Sequence, residues 1–312
     1  SACLVGSEMC IRDRDVDNIN IVYIDIEVAS ENGFPNPKVA DQEIIAITMK
    51  LRDQIYSFGI GDFKTDNQQI KYLNCKTEID LLKAFIQQWT LIWPDVVTGW
   101  NVKFFDIPYL VNRIKNVIGG DVYKKMSPWS VVNAKTIPMV GGRQVNVYEL
   151  DGIQQLDYMD LFQKFGYVYG TQESYALDHI AHVILGERKL SYEEHGSLHA
   201  LYEKDHQKFI DYNIKDVQLV DKIDKQTGLM DLALVIAYKG GCSAKEAAAV
   251  VGCSTRHMLG ILRGEVRNQI TGITESLVRK PIPKVPPATD AMVGYQYRPI
   301  IMEKDGEEPM HF

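Results

Sequence analysis

Cysteine is scarce in this chain, and basic charge is in deficit. Five cysteines occur in 312 residues (Cys3, Cys10, Cys75, Cys242, Cys253), with no CxxC and no paired metal-ligand spacing. That excludes a disulfide-stapled scaffold and a thiolate zinc site. With an odd count and no secretory signal, a reduced cytosolic compartment is expected. Lysine and arginine number 34 against 41 acids, a net charge of −7. A protein held to nucleic acid by bulk positive charge is thereby excluded, but not an enzyme that meets phosphates through bound metals and local basic patches. No apolar run approaches transmembrane length, and there is no internal repeat or low-complexity run. The 46% of hydrophobic residues is ample for one large domain or two small ones.

The two ends read differently from the middle. The run Leu4–Arg14 looks like translated sequencing-adaptor sequence, so residues 1–19 are set apart as a non-native or partial N-terminal segment. The first residue is not Met, and Glu303–Phe312 is charged and carries no structural signal. The chain is expected to be part of a longer gene product. Pro281, Pro283, Pro286 and Pro287 read as a linker, opening a tail over 281–312.

What the chain does have is a strand with two acids on one side. Ile21–Val28 reads Ile-Val-Tyr-Ile-Asp-Ile-Glu-Val, mostly β-branched or aromatic, with no Gly or Pro. Strand side chains alternate faces, so Val22, Ile24, Ile26 and Val28 share the core face and Tyr23, Asp25 and Glu27 the other. Two carboxylates so close resist joint ionisation unless a cation lies between them, which suggests a divalent-metal site. On these residues alone, the wet face of an antiparallel strand competes with it.

The elements that follow predict a mixed sheet flanked by helices. Glu43–Lys50 and Gln54–Ile60 extend the first strand into an antiparallel meander. Thr77, with Asp80 three residues on, opens a helix whose apolar positions are Ile79, Leu82, Phe85, Ile86 and Trp89. Asp95–Trp100 is a short strand. Pro108 fits a first helical turn, so a helix is expected from about Asp106 to Gly119-Gly120, and Asp106 taken alone fits its N-cap. Val131–Leu150 reads as a hairpin about Gly141-Gly142, with Lys135 and Arg143 on its arms and Lys124-Lys125 nearby. Ile153–Leu161 is a strand turning into a helix. Ser174 is a candidate cap for a helix Tyr175–Leu185 closed by Gly186. A loop to about Lys204 leads to helices Asp205–Lys225 and Leu229–Tyr238. On the first of these, Phe209, Tyr212, Asp216, Leu219 and Ile223 form one stripe, where a lone carboxylate is unfavourable. Asp211 and Asp221 fall outside it and read as solvated.

Three of these pieces resemble the motifs of a known family. Asp25-Ile26-Glu27 is similar to the first exonuclease motif of DnaQ-like 3′–5′ exonucleases. Asn101-x-x-x-Phe105-Asp106, preceded by Thr98-Gly99-Trp100, resembles the second motif of family B DNA polymerases. Tyr212-x-x-x-Asp216 resembles the third in its tyrosine form. The order is the family's, the hairpin and the run Leu156–Leu161 fit its context, and the likeness is greatest to polymerases of T-even-type bacteriophages. It covers roughly residues 20–240.

The resemblance implies an α/β, ribonuclease-H-like mixed sheet flanked by helices, with an inserted β-hairpin and a helical C-terminal extension. It implies a proofreading 3′–5′ exonuclease in which Asp25, Glu27, Asp106 and Asp216 gather around two ions, Mg²⁺ or Mn²⁺. Asp25 would bridge both ions, Glu27 and Asp216 would complete one site, and Asp106 would hold the second ion largely through water. Tyr212 would orient the attacking water. Phe105 is a candidate for stacking on terminal bases or for the core, and Asn101 for contacting the terminal nucleotide or shaping the turn. The hairpin would help separate primer from template, with Lys135 and Arg143 meeting phosphates or standing solvated. Asp157 and Asp160 read as structural or substrate-side groups, since the four-acid set is complete. The implied partners are single-stranded DNA at the primer 3′ end, the polymerase domains of the same gene and, for the full-length protein, a sliding clamp. The implied place is the host-cell cytoplasm, with no membrane partner.

Two departures limit the resemblance. The family's polymerase signature, of the type Asp-x-x-Ser-Leu-Tyr-Pro-Ser, is absent, so this chain is not expected to polymerise DNA by itself. Residues 241–280 are expected to be helical, either a link to the palm or a helix-turn-helix over Ser243–Leu262 with Gly252 at the turn, Ser254 as cap and Arg256, Arg263 and Arg267 toward phosphates. The competing functions are a DNA-binding module without appreciable activity and a nuclease domain fused to a helix-turn-helix. Tyr23 matches no motif position.

Overall fold

A computed structural model describes residues 19–30, 33–138, 144–240, 265–267 and 274–276. The apolar, β-branched face of β1 (Ile21–Val28) makes it the centre of a six-stranded sheet. The other strands are β2 (Ile44–Leu51), β3 (Gln54–Gly59), β4 (Ile70–Asn74), β5 (Val96–Thr98) and, beyond the hairpin β6 (Val132–Pro138) and β7 (Gln144–Leu150), β8 (Gln154–Gln155). The order across the sheet is β4-β3-β2-β1-β5-β8, with β6 and β7 paired apart from it. β1, β2 and β3 form the expected antiparallel meander, while β4, β5 and β8 join in parallel. The helices are α1 (Glu78–Ile92), α2 (Asp106–Val117), α3 (Tyr158–Phe165), α4 (Leu177–Leu185), α5 (Leu198–Lys204), α6 (His206–Thr227) and α7 (Leu229–Gly240).

The period-two pattern of β1 sorts the core into layers. Val22, Ile24, Ile26 and Val28 pack with Leu82, Phe85 and Trp89 of α1 and Leu110 and Ile114 of α2. On the opposite face Tyr23 packs with Tyr158 and Phe162 of α3, Ile180 of α4 and Val220 and Ile223 of α6. This is the ribonuclease-H-like layering that the sequence predicts. Tyr23 finds its role here: its hydroxyl donates to Asp224 Oδ2 at 2.6 Å, and the Tyr158 hydroxyl donates to the other oxygen at 2.9 Å. The pair ties the start of β1 to the C-terminal end of α6.

Several boundaries differ from expectation, each for a local reason. Thr77 does cap α1, accepting from the Asp80 N–H and donating to its carboxylate, but Leu81 rather than Ile79 faces the core. Ser174 does not cap α4: its hydroxyl accepts from Ala176 N–H in a preceding turn, and the helix starts at Leu177. β4 falls in a stretch for which no element is predicted, and α5 where a loop is expected. β4 is an edge strand with little buried surface, and α5 is a short helix whose hydrophobic payload is mainly Leu201. Asp221 is not solvated; it is buried, with Lys50 of β2 at 2.8 Å. The helix-turn-helix reading lies outside the described residues. Within 241–280 the described residues beyond α7 are Glu265–Arg267 and Thr274–Ser276, which pair as two short antiparallel strands rather than helices.

Candidate active site

The acids of the site come from β1, the start of α2 and the middle of α6. β5 pairs with β1 only as far as Tyr23↔Thr98, so beyond it β1 has no strand partner on that side among the described residues. A backbone N–H there needs another acceptor. Asp106 provides it, its Oδ1 accepting from Ile26 N–H at 3.1 Å. Asp106 is the first residue of α2 rather than its cap; Phe105 holds the cap position without a side-chain hydrogen bond.

The loop that delivers Asp106 is fixed at three points. Gly99 lies so close to β1 that a Cβ there would stand 2.3 Å from Ile24 O. Asn101 takes a left-handed backbone (φ 70°), which asparagine tolerates. Buried Asp157, at the N-cap of α3, accepts from Asn101 N–H at 3.2 Å and Lys103 N–H at 3.0 Å. Asn101 thus shapes the turn, and Asp157 is structural.

On α6, Tyr212, Asn213 and Asp216 lie on one helical face. One carboxylate oxygen each from Asp25, Glu27 and Asp216 lie within 4.8 Å of one another. Asp106 stands outside that trio, though its charge reaches it. Lys189, from the segment after α4, places its ammonium 2.5 Å from Asp216 Oδ2 and 4.9 Å from the centre of the Tyr212 ring.

Burial and mutual repulsion dominate the electrostatics. Burial, with Glu27, Asp106 and Asp216 close by, pushes Asp25 well above the usual carboxylate range. Burial, then Asp216, raises Glu27 to about 8, against the pull of Lys189. Burial raises Asp106 to about 7 despite the Ile26 N–H, and Asp216 to about 6 despite Lys189. Burial and Asp216 raise the Tyr212 phenol, so at neutral pH it is a hydrogen-bond donor and not a base.

These residues fit a divalent cation. The donors are all hard carboxylate oxygens. Asp216 Oδ1 is buried with no hydrogen-bond partner among the described residues. A buried anionic oxygen left unpaired is costly, and a cation is the partner that removes the cost.

The remaining expected residues are spread out. Phe105 is half-buried against the first core layer, between Tyr109 (ring centroids 5.7 Å) and Phe34 (5.6 Å). Phe34, from the loop after β1, is 86% exposed and extends this aromatic row into solvent. Lys135 sits on the exposed hairpin, paired with Glu149 at 3.0 Å. Arg143 lies outside the described residues. Lys124 pairs with Asp121 on a single turn, and Asp160 with Lys103 at 3.6 Å. Phe34 beside Phe105 escaped the sequence reading, as did two residues at the acid cluster: Lys189, and Asn213, whose Nδ2 donates to Asp25 Oδ2 at 2.7 Å. Asn213 had a signal, its place between Tyr212 and Asp216. Lys189 had none, since it reaches the site only by tertiary folding.

A ribonuclease-H-like sheet with acids on its central strand, the next helix start and a crossing helix defines a 3′–5′ exonuclease, a hydrolase of nucleic acid ends. The family model for the exonuclease domain of DNA polymerase family B matches residues 3–180. The chain belongs to that family. It is 35% identical over 252 residues to the DNA-directed DNA polymerase of Escherichia phage RB69, covering 72% of this chain and 27% of the relative. The corresponding enzyme of Enterobacteria phage T4 is 33% identical over 260 residues, covering 75% of this chain and 28% of the relative. The DNA polymerase catalytic subunit of Psittacid herpesvirus 1 is 27% identical over 241 residues, covering 71% and 22%. The chain thus spans little more than a quarter of the phage relatives' length. Among the described residues, no helix is long and apolar enough to cross a membrane.

Proposed function

We propose that this chain is the proofreading part of a longer family B DNA polymerase, with residues 20–240 as its exonuclease domain. It hydrolyses the 3′-terminal nucleotide of single-stranded or mispaired DNA, using Mg²⁺ or Mn²⁺ in two adjacent sites. The observation that carries this is the trio of Asp25, Glu27 and Asp216 within 4.8 Å, with Asp106 close enough to perturb them. Asp25, Glu27 and Asp216 would hold one ion, and Asp106, with Asp25, would hold the second. Ions bound there would supply a nucleophilic water at neutral pH and neutralise charge on the leaving 3′ oxygen.

The chain's own residues do the rest. Tyr212, kept protonated, orients the attacking water through its hydroxyl. Lys189 lies beside Asp216 and Tyr212, where it can meet the scissile phosphate as a point charge. Phe105 and Phe34, their rings tilted 51° to one another, offer aromatic faces that accept any terminal base, which suits an activity that removes all four nucleotides. Asn101 shapes the turn beneath them. The β6–β7 hairpin, with Lys135 on its first strand, stands at the primer–template fork, and Arg143, which lies outside the described residues, is a further candidate for phosphate contact. The polymerase domains of the same gene and a sliding clamp are the partners in the full-length protein, in the host-cell cytoplasm.

The test is direct. The chain is incubated with 5′-labelled single-stranded DNA and Mn²⁺, and products shortened one nucleotide at a time are expected. Asp25→Ala or chelation abolishes them. Cleavage that survives either change overturns the assignment. Tight DNA binding with no cleavage supports a binding module instead.

A further inference from the structure

Asn213 is an unexpected residue for the middle of α6. It is fully buried. Asparagine is a poor helix-interior residue because its amide competes with the backbone for hydrogen bonds. A buried amide also has both donors and acceptor lone pairs to satisfy, and Asn213 Oδ1 has no partner among the described residues. An apolar side chain of the same size would fill this space with neither penalty. What Asn213 does provide is the 2.7 Å hydrogen bond from Nδ2 to Asp25 Oδ2.

The surroundings of Asp25 give that bond a purpose. Repulsion from Glu27, Asp106 and Asp216 acts to turn the Asp25 carboxylate away from the position the cluster gives it. A cationic donor would restrain it but would add to the positive charge that Lys189 already brings to the cluster through Asp216. A neutral amide restrains it without that conflict. α6 supplies the amide one residue from Tyr212 and three from Asp216, on the face that meets β1.

We infer that Asn213 is a positioning residue, whose amide N–H holds the Asp25 carboxylate so that its other oxygen is offered to a divalent cation shared with Glu27 and Asp216. The inference rests on the metal-centre reading above and names the residue that prepares the site. Outer hydrogen bonds to metal ligands are commonly worth about 10- to 100-fold in metal affinity or activity.

The 312-residue chain carrying Asn213→Leu, nearly isosteric, or Asn213→Ala, unable to clash, is titrated with Mn²⁺ alone. Asp25→Asn serves as reference, and unfolding midpoints are measured in chelator. Both Asn213 variants are expected to weaken Mn²⁺ binding by about 10-fold or more, with the chelator midpoint of Asn213→Leu unchanged or higher. With single-stranded DNA, their lost turnover returns at raised Mn²⁺ while KM for DNA stays put. If both variants bind Mn²⁺ like the unaltered chain while Asp25→Asn does not, Asn213 only fills space and the inference fails, with the metal centre intact. Weaker binding that merely follows lowered midpoints in both variants also overturns it. If Asp25→Asn binds like the unaltered chain, the metal-centre reading fails first and the inference with it.

Discussion

Gly99→Ala is the substitution that presses hardest on how the fold delivers Asp106. The added Cβ would stand 2.3 Å from Ile24 O and 2.5 Å from Val102 Cγ1. Carbon and carbonyl oxygen sit comfortably at about 3.3 Å, so the two segments must part by about 1 Å. Ile24 belongs to the central strand, hydrogen-bonded to β2 and packed in the core, and Val102 is fully buried. The loop 99–105 must therefore shift away from β1 and repack Val102, and Asp106 moves with it. The repacking is expected to cost about 1–3 kcal/mol of stability. A displacement of this size at a reacting centre costs about 100-fold in turnover. Chemical unfolding measures the first, and release of labelled 3′ nucleotides in Mn²⁺ the second. Turnover within about twofold of the unaltered chain, with stability within about 0.5 kcal/mol, would refute the reasoning.

Other perturbations separate structure from chemistry. Lys189→Met is expected to lower turnover about 100-fold, as for loss of a charge-stabilising group, and to lower metal-free stability by about 1.5–3 kcal/mol by stripping Asp216 of its partner; unchanged turnover in a kinetic assay removes Lys189 from the mechanism. Tyr23→Phe leaves Asp224 with Tyr158 and the Met230 N–H, so about 1 kcal/mol is lost in chemical unfolding while turnover holds; a large loss of activity would show that Tyr23 does more than tie β1 to α6. Metal-free stability should also depend on pH. Unfolded carboxyls titrate near pH 4, whereas in the metal-free fold Asp216 is held at about 6, Asp106 at about 7 and Glu27 at about 8. Across that window the folded chain binds more protons than the unfolded one, so stability falls as pH rises. Melting in chelator is therefore expected at lower temperature at about pH 8 than at about pH 5, with saturating Mn²⁺ flattening the trend; a chelated midpoint that is flat or rises with pH contradicts the electrostatics.

Legibility in the sequence followed the range of the interaction. The faces of β1 could be read because alternation is local: Val22, Ile24, Ile26 and Val28 against Tyr23, Asp25 and Glu27. The start of α2 could be read from Pro108, and the face of α6 from the spacing of Tyr212 and Asp216. Asp221 was misjudged because helical spacing alone cannot see Lys50 arriving from β2. Lys189 was invisible for the same reason: nothing near it in sequence records that the segment after Gly186 returns to Asp216. β4 escaped because an edge strand buries too little to need a hydrophobic pattern. Tyr23 had a face but no partner until Asp224, far along the chain, came into contact.

The central claim is that the acids of β1, α2 and α6 form a centre for divalent ions. Anomalous diffraction from crystals equilibrated with Mn²⁺ tests it most directly. The account predicts two adjacent peaks, one bounded by Asp25, Glu27 and Asp216 and the other lying toward Asp106, both absent in Asp25→Ala. No peak at these carboxylates, in crystals where Mn²⁺ is bound elsewhere, would contradict it.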